Sequence, residues 1–285
     1  MTGSPDDIRF RRIVVALDTS PEGRALLELA ADLATCFRSS LAGLYVEDED
    51  VQAFADLPVG QEISFAGGRL SDLTPERLKS HFSHQAALMR KTLEKVAAAR
   101  QVEHTFELRR GRPERELHAA VEGTDLLAFG RALGAMSRPR GDDLVHRLST
   151  SMARGLLISP GPVRAAGEGP VGGIFSGTPA SERAIRMASD IAHRLRRRML
   201  VAVAPQDGDP RALRDRLAGI AADGNTTAIV LHVGQDRTLA QCFQSERPGL
   251  VVLSADQAIG GELQWDDWTA SPLLIVGNRD VISED

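Results

Sequence analysis

The chain has 285 residues, 42% of them hydrophobic and 26% charged, with a formal net charge of −5. That length fits two domains or one large one. No stretch approaches the ~18 apolar residues of a membrane span, Met1 to Arg12 is too polar for a signal peptide, and the acidic balance argues against a general nucleic-acid binder, so a cytoplasmic protein without membrane or nucleic-acid partners is expected.

The first predicted element is a strand over Ile13–Leu17, a short apolar run of the kind covered on both faces of a parallel sheet. Ser20 then offers an N-cap and Pro21 a first helical residue. Leu26, Leu29, Ala30, Leu33 and Phe37 recur at helical spacing. Leu41–Val46 returns as a strand. An insertion, roughly Glu47–Thr74, follows. A long helix comes next, with Thr74 as cap, Pro75 as start and Leu78, Phe82, Ala86, Met89, Leu93 and Val96 as its apolar stripe. Val102–Leu108 reads as a strand, Pro113–Val121 as a helix, Asp125–Phe129 as a strand, Asp142–Arg154 as a helix and Leu156–Ile158 as a strand.

PGPVRAAGEGP, residues 160–170, is rich in Pro and Gly and reads as a linker. Beyond it the opening pattern recurs. Residues 171–204 align without gaps on residues 13–46 at an offset of 158, matching Pro21 with Pro179, Ala30 with Ala188, Asp32 with Asp190 and Ala34 with Ala192. Thr178 stands where Ser20 stands, again before a proline. Arg211–Ala222 and Thr238–Ser245 read as helices, and Ala228–His232, Leu250–Leu253 and Leu273–Val276 as strands. IGGELQWDDWTAS separates the last two strands, so this half lacks a clear final helix. Strand–helix–strand units with such short connections imply parallel strands. The fold class expected is therefore α/β, with two tandem five-stranded, Rossmann-like parallel-sheet domains, 1–165 and 166–285, the second degenerate. Leu156–Ile158 and Leu273–Val276 are expected near a pseudo-twofold contact between them.

VVALDTSPEGRALLELAADLA, LYVEDE, LLAFGRALG and LSTSMARGLLI, taken in this order, resemble the universal stress protein family in its tandem form. The resemblance implies a fold of the adenine nucleotide alpha hydrolase type and a regulatory, stress-response role rather than turnover. It also implies an adenine nucleotide site at the strand C-termini, where an aspartate, a strand backbone and a glycine loop meet. Carried over residue by residue, that site comprises Asp18, Val46, Gly130, Gly134, Ser149 and Thr150. Mg²⁺ belongs there only if the ligand is ATP. The family's glycine spacing departs here: Leu133 occupies the second glycine position and Gly134 follows it, while Ser149 and Thr150 come after a longer loop. Arg131, Arg138, Arg140 and Arg147 surround that segment and offer cations to an anion. In the second half Ser176 replaces the aspartate.

Other features have plainer readings. His81 and His84 share one helix face without a third ligand, so no metal site is expected. Glu47–Asp50 reads as a solvated acidic loop. Arg194 and Arg196–Arg198 suit a helix C-terminus. Cys36 and Cys242 read as small, partly buried residues. SGTPAS, residues 176–181, lacks the glycine and aspartate of a pyrophosphatase loop. No catalytic constellation is visible, and an enzyme is not expected. Two alternatives stay open: an interaction scaffold, with the insertion and long helix as a partner or homodimer surface, and a slow nucleotide hydrolase.

Overall fold

A computed structural model describes residues 10–55, 61–63, 70–72, 75–130, 154–159, 169–203, 215–220, 228–232, 239–259 and 271–277. β1 (Arg12–Ala16) leads into α1 (Pro21–Phe37), which returns through β2 (Ser40–Asp48). α2 (Glu49–Ala55) and the antiparallel pair β3 (Gln61–Ile63) and β4 (Leu70–Asp72) fall within the predicted insertion. α3 (Pro75–Arg100), β5 (His104–Gly111), α4 (Pro113–Ala120), β6 (Leu126–Gly130) and β7 (Gly155–Ser159) follow. The later elements are β8 (Val171–Phe175), α5 (Pro179–Arg194), β9 (Met199–Val203), β10 (Ala228–His232), α6 (Leu239–Glu246), β11 (Leu250–Ser254), α7 (Ala255–Ile259) and β12 (Leu273–Val276). Residues 215–220 are also helical.

Ten strands form one sheet in the order β10-β9-β8-β11-β12-β7-β6-β1-β2-β5. Each five-strand block starts from a central strand, β1 or β8, and is parallel throughout. The blocks meet where β7 and β12 pair antiparallel, Leu273 opposite Ile158 and Val276 opposite Gly155.

Alternation along β1 divides the packing. Ile13 and Val15 join the layer under α1 and α3, which continues beneath α5, while Val14 and Ala16 face Leu117 and Ala120 of α4. The α1 stripe is fully buried at Leu26, Leu29 and Leu33, each side chain stabilising the fold by about 1.5–3 kcal/mol. The predicted α3 stripe is buried as well, Leu78 through Val96.

Several boundaries differ from expectation by a residue or more, two of them for a clear local reason. β5 begins at His104 rather than Val102, because Gln101 takes a left-handed conformation (φ 56) and the Val102 N–H closes the end of α3 on the Ala97 carbonyl. β2 runs on through Asp48, so the insertion proper starts with α2. The predicted helix over Asp142–Arg154 lies outside the described residues except for Arg154.

At the N-terminal ends of β1 and β6 sits a partly buried ion pair. Asp125 is wholly buried, and its Oδ2 accepts from Arg12 Nη2 (2.7 Å), Arg12 Nε (3.2 Å) and the Glu122 N–H (3.0 Å). The same guanidinium reaches the Ala120 carbonyl at 2.9 Å. The hydrogen bond to Asp125 raises the Arg12 pKa further, against the opposing effect of burial.

Candidate functional site

Asp18 lies just past the C-terminal end of β1, half buried, at the turn into α1. Its Oδ1 accepts from the Ser20 N–H at 2.8 Å and from the Ser20 hydroxyl. The same hydroxyl oxygen caps α1 by accepting the Gly23 N–H at 2.9 Å, with Pro21 at the first helical position. The capping predicted from Ser20 and Pro21 is thus also what holds the carboxylate.

Gly23 escaped the sequence reading. A Cβ there would stand 2.2 Å from Asp18 Oδ1 and 2.9 Å from Oδ2, so the carboxylate lies across a bare Cα. The available signal was energetic: glycine inside a helix costs about 1 kcal/mol relative to alanine, so its use in the first turn asks for a reason.

Val46 and Gly130 stand beside Asp18 on the neighbouring strands. Backbone groups of β2 alternate between its two neighbours: Ser40 N–H bonds Arg11 of the β1 side, and Leu41 N–H bonds Glu103 of the β5 side. The β1 ladder ends with the Leu17 N–H on the Leu44 carbonyl (2.8 Å). Val46, facing the same way as Leu44, directs its N–H and C=O past the point where the chain has left β1 for the Asp18 turn. Among the described residues no backbone partner meets them there. Gly130 closes β6, and a methyl group on it would meet only Asp18 Oδ2, at an ordinary 3.6 Å. Nothing among the described residues demands glycine at that position. Gly134, Ser149 and Thr150, with the surrounding arginines 131, 138, 140 and 147, lie outside the described residues.

The acidic run does not form the expected solvated loop. Glu47 and Asp48 are buried, and only Glu49 and Asp50 are exposed, at the start of α2. Glu47 sits directly opposite Arg110 in the β2–β5 ladder and accepts from its Nε at 2.9 Å. Asp48 Oδ1 accepts the Asp50 N–H (2.9 Å), and Arg112 approaches Glu49 (3.4 Å) and Asp50 (3.5 Å). Glu47 is neutralised by β5, and Glu49 and Asp50 by the residue before α4.

The matching corner of the second block is closed by its own side chains. Thr178 caps α5 by accepting the Ser181 N–H (3.1 Å), as Ser20 caps α1. Ser176 replaces Asp18, and Ser181, wholly buried, replaces Gly23. Ser181 Oγ donates to the Thr178 carbonyl (2.8 Å) and accepts the Ser176 N–H (3.3 Å). Gln257 of α7 comes in from the other side, donating to the Ile174 carbonyl (3.0 Å) and to Ser176 Oγ (3.4 Å). Its Oε1 accepts the Ser254 N–H (3.1 Å). The side chains of Ser176, Thr178, Ser181 and Gln257 are thus bonded among themselves and to nearby backbone.

His81 and His84 are exposed on α3, and no group of three or more His, Cys, Asp or Glu side chains among the described residues could hold a metal ion. Cys36 is buried in the last turn of α1, and burial pushes its thiol up to about 11. The Cys242 side chain lies outside the described residues. No helix among the described residues is long and apolar enough to cross a membrane.

Residues 9–132 match the model of the universal stress protein family. They form a universal stress protein domain. Asp18, Val46 and Gly130 all fall within that matched segment. Likeness of fold to solved structures extends over most of the chain. A universal stress protein from Archaeoglobus fulgidus DSM 4304 superposes with a TM-score of 0.64 at 11% identity, over 96% of this chain and 99% of the other. A protein of unknown function from Pseudomonas aeruginosa PAO1 gives 0.58 at 16% identity, over 94% and 92%. The cytoplasmic domain of a prokaryotic cation chloride cotransporter gives 0.51 at 13%, over 94% and 96%. At these identities the likeness is one of fold. No curated protein matches the chain.

Proposed function

We propose that this universal-stress-type protein is a regulatory module whose first block binds an adenine nucleotide at the C-terminal ends of β1, β2 and β6. The observation that carries the reading is the backbone of Val46, whose N–H and C=O point together into the space beside Asp18 and Gly130. An adjacent donor and acceptor match the hydrogen-bonding edge of adenine, and a carboxylate fixed by Ser20 suits ribose hydroxyls. Gly134, Ser149 and Thr150 are the residues proposed to receive the phosphates. Mg²⁺ would accompany ATP alone, since its ligands would be phosphate oxygens and water rather than a preformed carboxylate cluster. The chain's own residues here bind and orient, and none is placed as a general base. The second block, its corner filled, serves as a structural partner.

Calorimetric titration of purified protein with ATP, ADP and AMP, with GTP as control, tests this. Saturable binding of the adenine nucleotides, lost in Asp18→Ala, is expected. No saturable binding up to millimolar concentration refutes the nucleotide reading and leaves the scaffold reading in its place.

A further inference from the structure

We infer that residue 23 is the positioning residue that keeps the Asp18 corner open to a ligand. The inference rests on the nucleotide reading for its function but on steric geometry for its mechanism. The Asp18 carboxylate lies against the bare Cα of Gly23, with both oxygens and Cγ within 2.9 Å of where a Cβ would stand. Real Cβ atoms do not tolerate such contacts, and what would yield is the end of the Asp18 side chain rather than the backbone. The carboxylate would then lose its present seat on the Ser20 N–H and hydroxyl.

The second block shows independently what a side chain does at this position. Ser181, at the offset of 158 from Gly23, folds back onto its own turn, donating to the Thr178 carbonyl and accepting from the Ser176 N–H. A hydroxyl thus bonds within the turn there, and the counterpart of position 18 is Ser176. The two positions differ together: carboxylate with glycine, or serine with serine. One arrangement leaves a carboxylate oxygen presented toward Gly130; the other leaves a self-satisfied corner that Gln257 completes.

Gly23→Ser and Gly23→Ala test this, the alanine variant adding a methyl group in a helix without a new polar group. Both are read by ATP titration, by circular dichroism with thermal melting, and by a crystal structure of the alanine variant. The expected result is ATP binding weakened at least about tenfold in both, with melting temperature kept or raised, and the Asp18 carboxylate turned away from Ser20. A merely structural glycine would not separate binding from stability in this way. ATP affinity within twofold of the unsubstituted protein, or an Asp18 that keeps its place in the Gly23→Ala crystal structure, overturns the inference. If the unsubstituted protein binds no ATP, the nucleotide proposal falls, and the Asp18 position in that crystal structure decides the role of Gly23 by itself.

Discussion

Replacing Arg12 by methionine removes the half-buried cation of an ion pair with a buried carboxylate and keeps the stem of the side chain. Asp125 is wholly buried, and two of the three hydrogen bonds to its Oδ2 come from Arg12. Its Oδ1 has no hydrogen-bond partner among the described residues. The Ala120 carbonyl loses its guanidinium donor as well. Stranding a buried charge in this way costs about 3–5 kcal/mol. That is a large share of a typical total of about 5–15 kcal/mol. Urea unfolding followed by circular dichroism reads the loss as a lower midpoint at unchanged slope. The double variant Arg12→Met, Asp125→Leu removes the charge together with its partner and is expected to recover most of the stability, because an apolar pair avoids the desolvation penalty. A loss below about 1 kcal/mol in Arg12→Met, or a double variant no better than the single, refutes the reasoning. The pair ties the start of β1 to the start of β6, the two strands whose far ends carry Asp18 and Gly130.

Three further outcomes are expected. Tyr45 is the only tyrosine, and burial first, then Glu47, pushes its phenol up to about 12, so tyrosinate absorbance should rise near that pH in the folded protein. Its unfolded value is about 10, so the folded state holds the proton longer; stability is unaffected below pH ~10 and falls by up to about 2.7 kcal/mol as pH rises to about 12, and a folded protein titrating near 10 contradicts this. In a Cys242→Ser background, thiol reagents at neutral pH should label Cys36 more than about a hundredfold faster in urea than in buffer, since burial suppresses the thiolate; equal rates would contradict it. Ser20→Ala should cost about 1 kcal/mol in thermal or urea unfolding through the lost cap. It should also weaken ATP binding by releasing Asp18 Oδ1, and a variant with unchanged binding would separate the cap from the site.

The local signals were the readable ones. Ser20–Pro21 and Thr178–Pro179 announce two helix starts because the cap, the proline and the first turn interact within a few residues. Asp18 could be placed at a strand end for the same reason. Glu47 was misread because charge was taken as exposure, and its partner Arg110 is 63 positions away, reached only once β2 and β5 lie side by side. Gly23 was missed because a glycine states what is absent; its meaning depends on where the Asp18 carboxylate turns. The closure of the second corner was half legible. Ser176 in place of aspartate could be seen, but Gln257, 81 positions on, enters only through the placement of α7 after β11. The start of β5 was displaced by a helix ending whose left-handed residue, Gln101, is not glycine.

The antiparallel meeting of β7 and β12 has a consequence for the isolated halves. GLLIS of β7 and LLIV of β12 are buried throughout, apolar strands free of the charged or proline gatekeepers that protect an exposed sheet margin. Each strand is the other's cover. A protease cut between residues 160 and 170, followed by separation of the fragments, would bare two sticky templates of hydrogen-bonding backbone. Each half would then be driven to find a second strand, its own twin or an aggregate. The long chain thereby acts as a built-in chaperone for its own sheet, keeping at high effective concentration the one partner that closes it correctly.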